Sequence, residues 1–138
     1  AKQLKIGKGV IHRTGSDVAI IACGVLLNEA LEACEELRNQ GIDATVVDMH
    51  TIKPLDESLL DQIVESCGAI VTAEDHSVIG GLGSAVAEYV VSKSPVPMEM
   101  IGVQDRFGES GGSDELLGLL GLKSTHIAEA AKRVIERK

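Results

Sequence analysis

The sequence predicts an α/β fold with a parallel sheet and helices on both faces, and three observations carry that expectation. Apolar runs of strand length alternate with stretches of helical period. The runs are continuous rather than alternating, as strands covered on both sides require. Glycines at 24, 41 and 68 close successive segments. With 138 residues, 44% of them hydrophobic, the chain can bury roughly two-thirds of its unfolded surface, and one domain over residues 1–138 is expected.

Taken in order, "GVIHR" (Gly9 to Arg13) is a short first strand and "SDVAIIACG" from Ser16 a fully covered second one. Leu27, Ala30, Leu31, Cys34 and Leu37 recur at helical spacing, with Glu29, Glu32, Glu35 and Glu36 expected on solvated faces. "DATVVDMH" (Asp43 to His50) is the next strand. A turn through Pro54 then leads to Asp56, the expected N-cap of a helix burying Leu59, Leu60, Ile63, Val64 and Cys67. "AIVTAED" is a further strand, and Leu82, Ala85, Val86, Tyr89 and Val90 mark a helix ending near "SKSPVP". "MEMIGV" (Met98 to Val103) is the last strand. A Gly-rich loop, a short Leu-rich helix capped by Ser113, and a helix with Ile127, Ala130, Ala131, Val134 and Ile135 inward complete the chain. The β-α alternation implies parallel strands joined by right-handed crossovers.

Composition excludes several functions. The net charge of -8 and only two aromatics, Tyr89 and Phe107, argue against nucleic acid as a partner. Three widely spaced cysteines offer neither a disulfide framework nor a CxxC site, so a reducing, cytoplasmic setting is expected. No apolar run approaches the ~18 residues of a membrane span, and no leader pattern opens the chain, so no membrane role is expected.

In such a sheet, ligands lie beyond the carboxyl ends of the strands. Those ends carry Cys23, Asp48, His50, Glu74, Asp75 and His76. A metal held by His50, His76 and a carboxylate would suit zinc or manganese, but no HxxxH or HxH pair fixes two ligands on one element. A hydrogen-bonded polar loop is the simpler reading, and no metal ligand is assigned. Glu74 and His76 share a face of an extended chain while Asp75 takes the other, so acid/base chemistry competes with capping and interface contacts. No catalytic residue is assigned.

Gly80, Gly81, Gly83 and Ser84 stand between strand and helix, where backbone N–H groups and the helix dipole favour an anion. "GGLGSA" lacks the GxGxxG spacing and no Walker lysine follows, so close packing against a sheet or partner competes with nucleotide binding, and no cofactor-binding residue is assigned. Glu74, His76, Gly80, Gly81, Gly83 and Ser84 therefore form a candidate interface or anion-binding turn. In "DRFGESGGSDELL", Phe107 reads as an anchor for an irregular loop, with a lid as the sharper alternative. Cys23, at a buried strand end without a basic neighbour in sequence, reads as inert.

"VVDMHTIKPLD", "AEDHSVIGGLGSAVAE" and "GVQDRFGESGGSDELLGLLGL" together resemble the C-terminal domain of transketolase, especially the form split into two separately encoded subunits; the likeness runs from about Lys8 to Ile135. It implies a three-layer α/β/α sandwich with a mixed five-stranded, mostly parallel sheet of order 1-3-2-4-5, the first strand antiparallel. It also implies a complete enzyme that uses thiamine diphosphate with magnesium or calcium to move two-carbon ketol units between sugar phosphates. The GDG motif and Asn pair that hold the diphosphate and metal in the family do not occur here. By resemblance this domain serves assembly or dimer stabilisation and possible regulation, binds no cofactor alone, and is inactive alone. Its implied partners are the catalytic domains or N-terminal subunit of the same enzyme, in a homodimer or heterotetramer, and the opening "AKQLKIGKG" reads as the start of an excised domain.

Two relatives share the domain. "DRF" with the later "GLK" resembles 1-deoxy-D-xylulose-5-phosphate synthase, though that family usually has EHG after the Phe where this chain has "GESG". The beta subunits of 2-oxoacid dehydrogenase decarboxylases match the glycine loop less well. "EDH" stands where many relatives read EEH. An anion- or nucleotide-binding regulatory domain is the alternative from another functional class.

Overall fold

In the computed structural model, residues 6–77, 80–103 and 114–138 are described, except for the side chains of His76, Ser77 and residues 114–116. The Ser113 cap and the Phe107 loop lie outside the described residues. The elements are β1 (Val10–Arg13), β2 (Val18–Ala22), α1 (Leu26–Arg38), β3 (Ala44–Asp48), α2 (Glu57–Ser66), β4 (Ile70–Ser77), α3 (Leu82–Lys93), β5 (Met98–Val103), α4 (Asp114–Leu120) and α5 (Ser124–Glu136).

Strand β2 is buried at every residue because it lies at the centre of the sheet, whose order is β1-β3-β2-β4-β5. Its side chains alternate between two cores. Val18, Ile20 and Ala22 meet Leu26, Ala30, Ala33 and Leu37 of α1 and Ile127, Ala130, Ala131 and Val134 of α5. Ala19 and Ile21 meet Leu59, Leu60 and Ile63 of α2 and Leu82, Val86 and Val90 of α3. Each fully buried isoleucine or leucine contributes about 1.5–3 kcal/mol of transfer free energy, so mainly aliphatic cores hold the three layers together, with Tyr89 packed at the margin of the second. Parallel pairing joins β3, β2, β4 and β5, while β1 runs antiparallel to β3 through Val10↔Asp48 and Ile11↔Val47.

Asp56 caps α2 as its sequence position implied, accepting from the Leu59 N–H at 3.2 Å. Helix α1 is turned by about one residue relative to the expected stripe: Leu26 and Ala33 are fully buried, Leu27 and Leu31 only partly. One expected solvated charge is consequently inside. Glu29 is 8% exposed, and its Oε1 accepts the Ser124 N–H at 2.8 Å, closing the first turn of α5. Glu36 accepts from the Ser124 hydroxyl at 3.2 Å.

Candidate functional site at the carboxyl end of the sheet

Because β2, β3 and β4 are parallel neighbours, their carboxyl ends gather Cys23, Asp48, Glu74 and Asp75. The strand order reverses about β2, which makes this end the natural place for a ligand or partner. Asp75 turns toward the end of β2, where a Cβ on Gly24 would stand 3.4 Å from its Oδ1. Burial, and then the negative charges of Glu74, Asp75 and Asp48, push the Cys23 thiol up to about 11. A thiol so placed is protonated at neutral pH and is a poor nucleophile.

Glu74 points the other way along the alternation, toward α3, and is 1% exposed. The chain leaves β4 and reaches α3 through Gly80, whose φ of +79° suits glycine. Gly81 follows as an extended N-cap with no side chain to satisfy the helix. Glu74 supplies the missing acceptors: the Leu82 N–H donates to Oε1 and the Gly83 N–H to Oε2, both at 2.8 Å. A buried carboxylate of the chain itself thus occupies the place where the helix dipole would favour an external anion. The Gly80 N–H donates to Ser84 Oγ at 3.0 Å, which tightens the same turn.

The structure therefore brings together Glu74, Gly80, Gly81, Gly83 and Ser84, while the His76 side chain lies outside the described residues. Gly83 has a packing reason. A Cβ there would stand 2.8 Å from Met100 Sδ and 2.9 Å from Thr72 Oγ1, so α3 approaches β4 and β5 as only a glycine permits. His50 follows β3 with a half-buried imidazole. Among the described residues, no three His, Cys, Asp or Glu side chains are placed to hold a metal ion.

Sequence reasoning missed two polar ties. Glu29 occupies a core-facing position between Leu26 and Ala30 or Ala33, and this placement within the apolar stripe was the available signal. Tyr89 reads in the sequence only as one of the residues that mark a helix, yet its hydroxyl donates to Asp61 Oδ1 at 2.7 Å, joining α3 to α2. That hydrogen bond, followed by desolvation and the Asp61 and Glu57 charges, pushes the phenol up to about 12.

Residues 7–127 match the family described as Transketolase, C-terminal domain. The chain belongs to that family. It is 48% identical over 136 residues to the "6-deoxy-6-sulfo-D-fructose transketolase subunit SqwH" of Clostridium sp. (strain MSTE9), covering 99% of this chain and 42% of the relative. It is 42% identical over 135 residues to a 1-deoxy-D-xylulose-5-phosphate synthase of Shewanella amazonensis (strain ATCC BAA-1098 / SB2B), covering 97% of this chain and 21% of that protein. A solved structure entitled "Split gene transketolase, inactive beta4 tetramer" superposes with a TM-score of 0.90 at 42% identity, covering 98% of this chain and 43% of the other. The chain thus spans about two-fifths or less of these proteins. The sheet of this transketolase C-terminal domain, with its antiparallel β1 beside β3, agrees with the architecture its sequence resemblance implied.

Thiamine diphosphate, the cofactor implied by the family, does not fit the residues at this site. Two N–H groups in the first turn of α3, those of Leu82 and Gly83, already bind Glu74, and Asp48 and Asp75 add negative charge nearby. Diphosphate would meet acceptors where it needs donors. No helix among the described residues is long and apolar enough to cross a membrane.

Proposed function

We propose that this transketolase C-terminal domain is the assembly part of a thiamine-diphosphate-dependent enzyme that transfers two-carbon ketol units between sugar phosphates in the cytoplasm. One observation carries the reading: the domain belongs to the family, yet the Leu82 and Gly83 N–H groups that could bind a diphosphate at its sheet terminus are taken by Glu74. The cofactor and its magnesium or calcium are then held by the catalytic domains or N-terminal subunit of the same enzyme, in a homodimer or heterotetramer. The turn through Gly80, Gly81 and Ser84, which Glu74 braces from inside and His76 precedes, is the surface offered to those partners. Its anion-binding alternative is disfavoured because Glu74 already fills the helix terminus.

The purified chain, given thiamine diphosphate, a divalent metal and xylulose 5-phosphate, is expected to transfer no ketol unit until the N-terminal part of the enzyme is added. Transfer by the chain alone would overturn the proposal. The likeness to a synthase at 42% identity supports a second reading, in which the reconstituted enzyme forms 1-deoxy-D-xylulose 5-phosphate; product analysis of the same mixture separates the two. The 48% identical relative named for a sulfonated fructose makes such a sugar a donor to include in that assay.

A further inference from the structure

Thr72 and Met100 are partners across the β4–β5 register, and both reach toward α3, where they flank the missing Cβ of Gly83 at 2.9 and 2.8 Å. The Thr72 side chain is fully buried, and its hydroxyl has no hydrogen-bond partner among the described residues. Leaving such a donor unmet is costly, and folded proteins seldom do so without cause. The chain has three methionines: Met100 is 40% exposed and Met49 1%, while Met98 is half-buried. The most exposed of the three methionines therefore has its sulfur near an unused hydroxyl donor, in a contact with α3 that only a glycine permits.

We propose that Met100 is a methionine-oxidation site whose sulfoxide oxygen is received by the Thr72 hydroxyl. The oxidant is a peroxide. The sulfur lone pair attacks the OH oxygen of the peroxide, the O–O bond breaks as the S–O bond forms, and the second oxygen leaves as water or alcohol after taking the proton that the transferred oxygen carried. Sulfur gives up two electrons and the peroxide gains them. Oxidation of a packed methionine ordinarily disrupts its surroundings, because a polar oxygen enters apolar space. Here the new acceptor meets a donor that is buried in either state, so the modification satisfies a group that the thioether leaves unmet. Its position against the first turn of α3 places it next to the Glu74 cap, and sulfoxide reductases make it reversible.

Peroxide titration of the whole chain, followed by peptide mass spectrometry, should add oxygen to Met100 before Met98 and Met49. The singly oxidised wild type should keep or raise its melting temperature, whereas oxidised Thr72→Val should melt roughly 3–8 °C below its reduced form. Met100→Gln, which carries a comparable acceptor without peroxide, should be tolerated beside Thr72 and lose stability beside Val at that position. Oxidation of Met49 or Met98 ahead of Met100, or equal shifts in the two backgrounds for both oxidation and Met100→Gln, would overturn the proposal.

Discussion

Glu74 illustrates how a residue can resemble a catalytic group and serve the backbone instead. Its two oxygens take the first two free N–H groups of α3, and Gly81 has no side chain that could replace it. Glu74→Ala strands two buried donors and should cost about 3 kcal/mol in urea unfolding, with Glu74→Gln losing less because one acceptor oxygen remains. Equal stability of wild type and the Ala variant would show that the cap is dispensable. Gly83→Ala must push Met100 and Thr72 aside and should lose about 1–3 kcal/mol, measured in the same way. The two caps differed in legibility for a physical reason. Asp56 bonds three residues ahead, within the reach of local pattern, whereas Glu74 bonds eight residues away and Glu29 ninety-five. Such partners exist only after the strands and helices have been placed.

At the scale of elements, β5 was readable to the residue and α2 to its cap, because apolar runs and an Asp before a helical pattern are local signals. Helix α1 was readable in extent, while its rotation was not, since Leu27 and Leu31 satisfy the same periodicity as Leu26 and Ala33 until α5 selects the buried side. The pairing of α2 with α3 through Tyr89 and the burial of Cys23 at the end of β2 each have a pH signature. Tyr89 is raised from 10.0 to about 12 and Cys23 from 9.0 to about 11, so the folded chain holds protons that the unfolded chain releases. The sign follows from linkage: these groups leave stability unchanged below about pH 9, then lower it as pH rises through 9–11 for Cys23 and 10–12 for Tyr89. Tyr89→Phe should flatten the upper part of that decline, and Cys23→Ala the lower part, in denaturant midpoints measured across alkaline pH. A wild-type profile with no decline over these windows would contradict the assignment.

For the whole molecule, alternation of strands and helices implied a parallel sheet, but the antiparallel β1 at its edge followed only from the family resemblance. The trace it leaves in the chain is faint: four residues whose burial alternates, too few to distinguish an edge strand from a loop by period alone. The candidate turn was legible as a place, through its glycines and polar residues, and illegible as chemistry, because its anion is internal. That distinction yields a test of what the domain binds. Anything that binds only the folded state raises stability by about 2.7 kcal/mol at 100 times its dissociation constant. Sugar phosphates or inorganic phosphate at large excess should leave the melting temperature of the isolated domain unchanged, since Glu74 holds the two N–H groups they would need. The N-terminal part of the enzyme should raise it, and a negative charge added at the exposed side of the turn, with Gly80→Asp as the probe, should abolish that rise. A Gly80→Asp chain that folds and is still stabilised by its partner would remove the turn from the interface, and a melting shift with phosphate alone would return the helix terminus to the ligands of this domain.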